Sequence, residues 1–86
     1  MRKFSLEEKV NYNKNRDSDF SVGYVFGVML YNDYVKMDKK TKATIDIIVT
    51  NNKELARKGD EGGKGFMCGM RDAAKDRKEK QAKRKR

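Results

Sequence analysis

The segments GYVFGVM (residues 23–29) and GFMCGMR (residues 65–71) repeat one pattern: two glycines four positions apart, with an aromatic residue after the first. A glycine inside a helix costs about 1 kcal/mol relative to alanine, so this repeat requires a compensating contact. Small residues at this spacing let the backbone of another helix approach closely. We therefore predict that the two pairs pack against each other, within one chain or across a dimer. The helix-packing residues are Gly23, Gly27, Gly65 and Gly69.

Residues 20–31, which contain the first glycine pair, fit either a strand or a helix. Alternate positions from Phe20 to Leu30 are apolar, which is the period of a strand. The intervening positions also include apolar residues, and a segment that is apolar on most sides suits a central helix covered by its neighbours. If the segment is a strand, the glycines only mark a strand and a loop.

Residues 44–50 present the same ambiguity, because they are rich in β-branched side chains. However, Ile45, Ile48 and Leu55 recur at helical spacing, and Gly59 follows them as a helix C-terminal cap. Two strands alone make a poor sheet. We therefore favour helices in both segments.

Cap residues complete the assignment of helices. Ser5 and Glu8 match a capping box at the start of a first helix. The four predicted helices cover about residues 6–15, 20–37, 40–58 and 65 onward. The predicted fold is all-α: a small three- to four-helix bundle with a basic C-terminal helical arm. The alternative is an α+β fold with a two-stranded hairpin from about 20–31 and 44–50. We expect residues 1–70 to form the compact helical domain and residues 71–86 the basic helix or tail.

The composition excludes several kinds of chemistry. The chain has 86 residues, one cysteine and no histidine, which excludes intrachain disulfides and the common zinc sites. The commonest general acid and base is also missing, so we predict a protein that is not an enzyme and needs no cofactor. The longest apolar stretch, residues 20–31, is shorter than the roughly 20 residues that span a bilayer. A soluble, cytoplasmic protein is therefore expected.

The net charge is +9, and most of it lies at the C-terminus. Residues 71–86 contain nine lysines or arginines and three acidic residues. A nearly balanced body with a basic end indicates a polyanionic partner. We predict contact with DNA or RNA, free or within a nucleoprotein complex, and no motif distinguishes the two; a homodimer is compatible with this function. The predicted nucleic-acid contacts are Arg71, Lys75, Arg77, Lys78, Lys80, Lys83, Arg84, Lys85 and Arg86.

A rival hypothesis places the function on the helical body. Small size and a lack of catalytic residues are also typical of protein-binding inhibitors and adaptors of phages and mobile elements, anti-CRISPR proteins for example. Tyr31 and Tyr34, together with the glycine faces, would then bind a host protein. The same tyrosines alternatively belong to the core or form a platform for bases. A membrane partner is disfavoured, since no bulky apolar residue follows Met70.

Overall fold

The computed structural model describes residues 4–84, which form four helices and contain no strand. Their bounds are α1 Leu6–Lys14, α2 Asp19–Tyr34, α3 Lys39–Arg57 and α4 Glu61–Arg84. The predicted helical bundle is confirmed. The α+β alternative is wrong, because residues 20–31 and 44–50 are helical and never pair as strands.

The predicted capping box starts α1. The Ser5 hydroxyl accepts from the Glu8 amide at 3.2 Å, and the Glu8 carboxylate accepts from the Ser5 amide at 3.0 Å. These two bonds satisfy backbone donors that a helix start otherwise leaves unpaired. Leu6 and Val10 pack as half-buried side chains against the core. The helix is short and buries none of its residues fully, so it depends on the rest of the bundle.

Polar caps also set the limits of α2 and α3. Ser18 accepts from the Ser21 amide at 3.2 Å, and Asp38 accepts from the Thr41 amide at 2.8 Å. Because Asp38 already caps α3, the chain turns over residues 35–37, and α2 ends at Tyr34 and not near residue 37 as predicted. Gly59 follows α3 with φ 96°, a left-handed conformation that favours glycine, so the predicted C-terminal cap is confirmed.

The last helix begins four residues earlier than predicted. The Asp60 carboxylate accepts from the Gly63 amide at 2.8 Å, which makes the glycine-rich stretch the first turn of α4 and not a loop. A β-carbon at Gly63 would lie only 2.8 Å from the Ala56 nitrogen and 2.9 Å from Leu55 Cβ. The end of α3 therefore lies directly against the start of α4. No break in α4 marks the predicted boundary after Met70, and Ala73 beyond it is buried.

The glycine-bearing helices α2 and α4 form the main contact of the structure, which we call the glycine seam. Each glycine faces the backbone of the opposite helix and not the other pair directly. A β-carbon at Gly65 would overlap the Phe20 carbonyl oxygen, and one at Gly69 would overlap that of Tyr24. Gly23 and Gly27 meet the carbonyl oxygens of Gly62 and Phe66 in the same way. Because the residue numbers of the contacting positions increase in the same direction along both helices, α2 and α4 run parallel.

A small core lies along this seam. Tyr24, Val28 and Ala73 are 3%, 4% and 2% exposed and form one cluster. Phe66 is 1% exposed, and its ring lies 5.7 Å from that of Phe26. The single cysteine, Cys68, is a half-buried free thiol that packs against the cluster.

Substitution of single glycines in α4 tests the seam. Gly69→Ala is expected to lower the melting temperature by about 10 °C, because overpacking costs about 1–3 kcal/mol and each kcal/mol shifts melting by about 4–8 °C in a domain of this size. Gly62→Ala is the control, since its β-carbon would lie 3.9 Å from the nearest backbone atom of another helix and would press only on the movable Asp60 carboxylate, at 3.3 Å, and alanine favours helix. Thermal unfolding followed by circular dichroism should show no loss for Gly62→Ala. Equal losses in both variants would contradict backbone contact at Gly69.

Candidate nucleic-acid interface

The C-terminal half of α4 presents most of the predicted basic residues to solvent. The exposed ones are Arg71, Lys75, Arg77, Lys78, Lys80 and Lys83. The side chain of Arg84 and the whole of Lys85 and Arg86, which were also predicted contacts, lie outside the described residues. The predicted contacts that the structure describes thus belong to one continuous helix.

Four of the exposed cations of α4 share one helical face. Lys64, Arg71, Lys75 and Lys78 are spaced by seven, four and three residues, which places them within about 60° around the axis and over about 21 Å along it. This face points away from Gly65, Gly69 and Ala73, which are buried in the seam. Lys64 was not among the predicted residues, although its seven-residue spacing from Arg71 was a signal for it.

The acidic residues between these cations are engaged on the inner side of α4. Asp72 accepts from the Tyr24 hydroxyl at 2.7 Å and lies 3.7 Å from the Lys9 ammonium. Asp76 lies 3.1 Å from the Lys80 ammonium. Lys75, Arg77 and Lys78, in contrast, form no ion pair with any residue in the described range 4–84. The outward side of α4 therefore carries uncompensated positive charge.

The contact of Tyr24 with Asp72 ties three helices together. Lys9 of α1, Tyr24 of α2 and Asp72 of α4 meet there, and the carboxylate is half-buried. Burial of the Tyr24 ring and its bond to Asp72 both raise the pKa of its hydroxyl above the usual value of 10.0. The bond fixes the rotation of α4 about its axis and so keeps the basic face outward.

The two predicted partner-binding tyrosines have different surroundings. Tyr34 is half-buried and donates to the Asp46 carboxylate at 3.1 Å, which raises the pKa of its hydroxyl. Lys42 lies 5.4 Å from the centre of the same ring. Tyr31 stacks 6.4 Å from Tyr34 and lines a groove with basic residues of α4. The structure thus brings Tyr31 to α4 and engages Tyr34 with α3.

One surface was missed at the sequence level. Val22, Phe26 and Met29 of α2 were expected to be covered by neighbouring helices, but they are 59%, 53% and 58% exposed. The seam lies on another side of α2, where the Phe26 ring reaches only its edge at Phe66, and α3 packs mainly on α4. Their spacing of four and three residues indicates one helical face, but spacing alone cannot show whether a partner helix covers it.

Removal of the Tyr24 hydroxyl tests its role. Tyr24→Phe is expected to lower the free energy of unfolding by about 1–3 kcal/mol at pH 7, because a bond to a charged group is lost. A pKa raised in the folded state makes this contribution complete below about pH 10 and progressively weaker above it, as the unfolded tyrosine ionises. The gap between wild type and variant, measured by urea unfolding, should therefore shrink between about pH 9 and pH 11.

Tyr12→Phe is the matched control, because Tyr12 is an exposed tyrosine on α1. Its hydroxyl accepts only an exposed bond from the Arg16 guanidinium at 3.1 Å, so Tyr12→Phe should lower the free energy of unfolding at pH 7 by no more than about 0.5 kcal/mol. A Tyr24→Phe gap that stays constant or widens with pH would contradict the proposed linkage.

Neither a membrane-spanning helix nor a metal-binding cluster is found in the part of the chain that the structure describes. Within residues 4–84, no helix combines the length and apolarity needed to cross a bilayer. In the same range, no three cysteine or acidic side chains are grouped closely enough to bind a metal ion. No protein-family model, curated protein or solved structure matches this chain.

Proposed function

We propose that this chain is a small, non-enzymatic cytoplasmic protein that binds DNA or RNA, free or within a nucleoprotein complex, through the basic face of α4. The observation that supports this most directly is the uncompensated charge of Lys75, Arg77 and Lys78. The nearby carboxylates of Asp72 and Asp76 are engaged by other groups, and the exposed Glu79, which lines a groove with Lys75, forms no ion pair with any of the three. A cation without a protein partner can neutralise a phosphate at no cost of a broken ion pair.

In this proposal, the last turns of α4 form the basic arm that contacts nucleic acid. Phe20 lies against Gly65, and Tyr24 lies against Gly69. If the same offset continues along the two parallel helices, the end of α2 lies beside about residue 79 of α4. The last turns of α4, with Lys80 and Lys83, then extend past α2 and contact a polyanion from several sides.

Binding of this kind depends on phosphates and not on sequence. Each neutralised phosphate releases condensed counterions, so affinity falls steeply with salt. The slope of log affinity against log salt concentration becomes more negative by about 0.9 for each duplex phosphate that the protein neutralises. The row of Lys64, Arg71, Lys75 and Lys78 lies on an exposed helix face, and contacts of such cations with phosphates carry no sequence information. We therefore expect steep salt dependence and little sequence preference.

A second candidate function is a protein-binding inhibitor or adaptor of the phage or mobile-element type, such as an anti-CRISPR protein. The exposed face formed by Val22, Phe26 and Met29 favours it, because such a face suits a host protein partner. The glycine faces, which this hypothesis also used, are covered by the seam. In this case α2 would replace the tyrosine edge as the main contact.

Paired charge removal tests the proposed function. The double variant Lys75→Gln/Lys78→Gln should weaken binding to mixed-sequence DNA and RNA and reduce the salt slope by up to about 2, measured by fluorescence anisotropy. Lys39→Gln/Lys40→Gln removes the same charge from exposed positions at the start of α3 and should leave the slope almost unchanged. Equal effects of both pairs would assign binding to net charge alone. If the wild type binds neither nucleic acid at about 50 mM salt, the proposal is wrong.

A further inference from the structure

Two grooves, of about 310 and 490 Å³, lie along the C-terminal half of α4. Of these two, only the larger has no acidic residue in its lining. The larger lies between the end of α2 and α4 and has a volume of about 490 Å³. We call it the Tyr31 groove. Its lining residues are Tyr31, Ala74, Lys75, Arg77, Lys78 and Gln81.

The lining of the Tyr31 groove combines an aromatic ring with cations. Lys75, Arg77 and Lys78 line the groove together with Tyr31, and no carboxylate is among its lining residues. The groove between α1 and α4 also has cations, Lys9, Lys75 and Lys83, but it mixes them with Asp72, Asp76 and Glu79. The groove between α2 and the start of α4 contains Asp19 and Asp60. Among these three grooves, the Tyr31 groove is therefore the one suited to an anion.

The ring of Tyr31 is held in place. It packs on the core cluster of Tyr24, Val28 and Ala73. The ring of Tyr34 stacks beside it at 6.4 Å and is itself bonded to Asp46. Binding of a flat ligand to this ring would cost little side-chain entropy, because the Tyr31 ring is already ordered.

A second groove continues the same path. It has a volume of about 180 Å³, and it shares Arg77 and Gln81 with the Tyr31 groove. Asn32, Lys80 and Asp76 are added there, and the Asp76 carboxylate is paired with the Lys80 ammonium at 3.1 Å. Amide side chains carry both donors and acceptors, so this extension supplies groups that can bond the edge of a base.

We propose that the Tyr31 groove binds single-stranded nucleic acid, with one unpaired base on the ring of Tyr31 and the flanking phosphates on Lys75, Arg77 and Lys78. This inference rests on the proposed function and narrows it to single strands. Stacking on an aromatic ring combined with a basic groove is the usual means of binding single strands without sequence preference. A base in a duplex is stacked between its neighbours and cannot reach a half-buried ring without being flipped out.

The decisive test compares strands with and without bases. The probes are a labelled oligothymidylate of about 15 nucleotides, an abasic strand of equal length, and a hairpin duplex, each titrated with the full chain at low salt. The oligothymidylate should bind about 5-fold or more tightly than the abasic strand, which carries the same phosphates, since one stacked base is worth at least this factor. This comparison uses the wild-type protein and is independent of any folding defect.

Variants then assign the base contact to Tyr31. The ratio of the two affinities should persist in Tyr31→Phe, which keeps the ring, and fall toward 1 in Tyr31→Leu. Tyr12→Leu removes an exposed ring on α1 and should leave the ratio unchanged. Because Tyr31 packs on the core, Ala74→Leu offers a second route: it narrows the groove from α4, keeps Tyr31, and should also lower the ratio.

The outcomes separate this inference from the proposed function. Equal affinity for the base-bearing and abasic strands overturns the Tyr31 site and leaves phosphate binding by α4 intact. An unchanged ratio in both Tyr31→Leu and Ala74→Leu also overturns it. Polyglutamate that competes as strongly as the oligothymidylate assigns the groove to an acidic protein and overturns it. Failure of the wild type to bind any of these three probes overturns the Tyr31 site, and failure to bind mixed-sequence RNA as well overturns the proposed function.

Discussion

The direct contact between the backbones of α2 and α4 is the constraint on which the rest of the structure depends. Four glycines allow it, since a β-carbon at any of them would overlap a carbonyl oxygen of the opposite helix. The described residues 4–84 bury few apolar side chains, namely Tyr24, Val28, Ile45, Phe66 and Ala73. Close packing of backbone atoms supplies dispersion contacts that so small a core cannot provide. The loss of helix propensity at four glycines is offset by this contact.

The parallel direction of the two helices has consequences for the surface. Parallel neighbours need a connection that returns along the bundle, and α3 provides it by running back to Gly63 at the start of α4. One side of α4 packs against α2 through its glycines, and another side contacts Lys9 and Tyr24 through Asp72. The side that remains carries Lys64, Arg71, Lys75 and Lys78 and has no packing role. The basic face is thus a product of the same rotation that forms the seam.

Local signals in the sequence predicted most of the fold. The capping box at Ser5, the cap at Gly59 and the helical period of residues 45–55 depend on neighbours in the chain, so they could be read without the structure. The start of α4 was missed because glycines usually indicate a loop, and only the bond from Gly63 to Asp60 shows that they form a first turn. The choice between helix and strand in residues 20–31 remained open because that segment is apolar on nearly all sides.

Long-range features of the candidate site were less accessible. Basic residues were identified from composition, but which of them are uncompensated depends on contacts such as Asp76 with Lys80. The position of Tyr31 beside α4 follows from the register of the seam, which no local pattern contains. The open face of Val22 and Phe26 depends on where α3 packs, and periodicity cannot supply that information.

Charge and stability are linked in this chain. A net charge of +9 on a chain with a small core lowers the stability of the compact state through self-repulsion. The cations of α4 lie close together along one helix, so a polyanion that binds them would relieve this repulsion as well as release counterions. Any ligand that binds only the folded chain raises its stability by mass action. Binding and folding should therefore reinforce each other here more than in a neutral protein of the same size, because the residues that destabilise the free chain are the ones that hold the ligand.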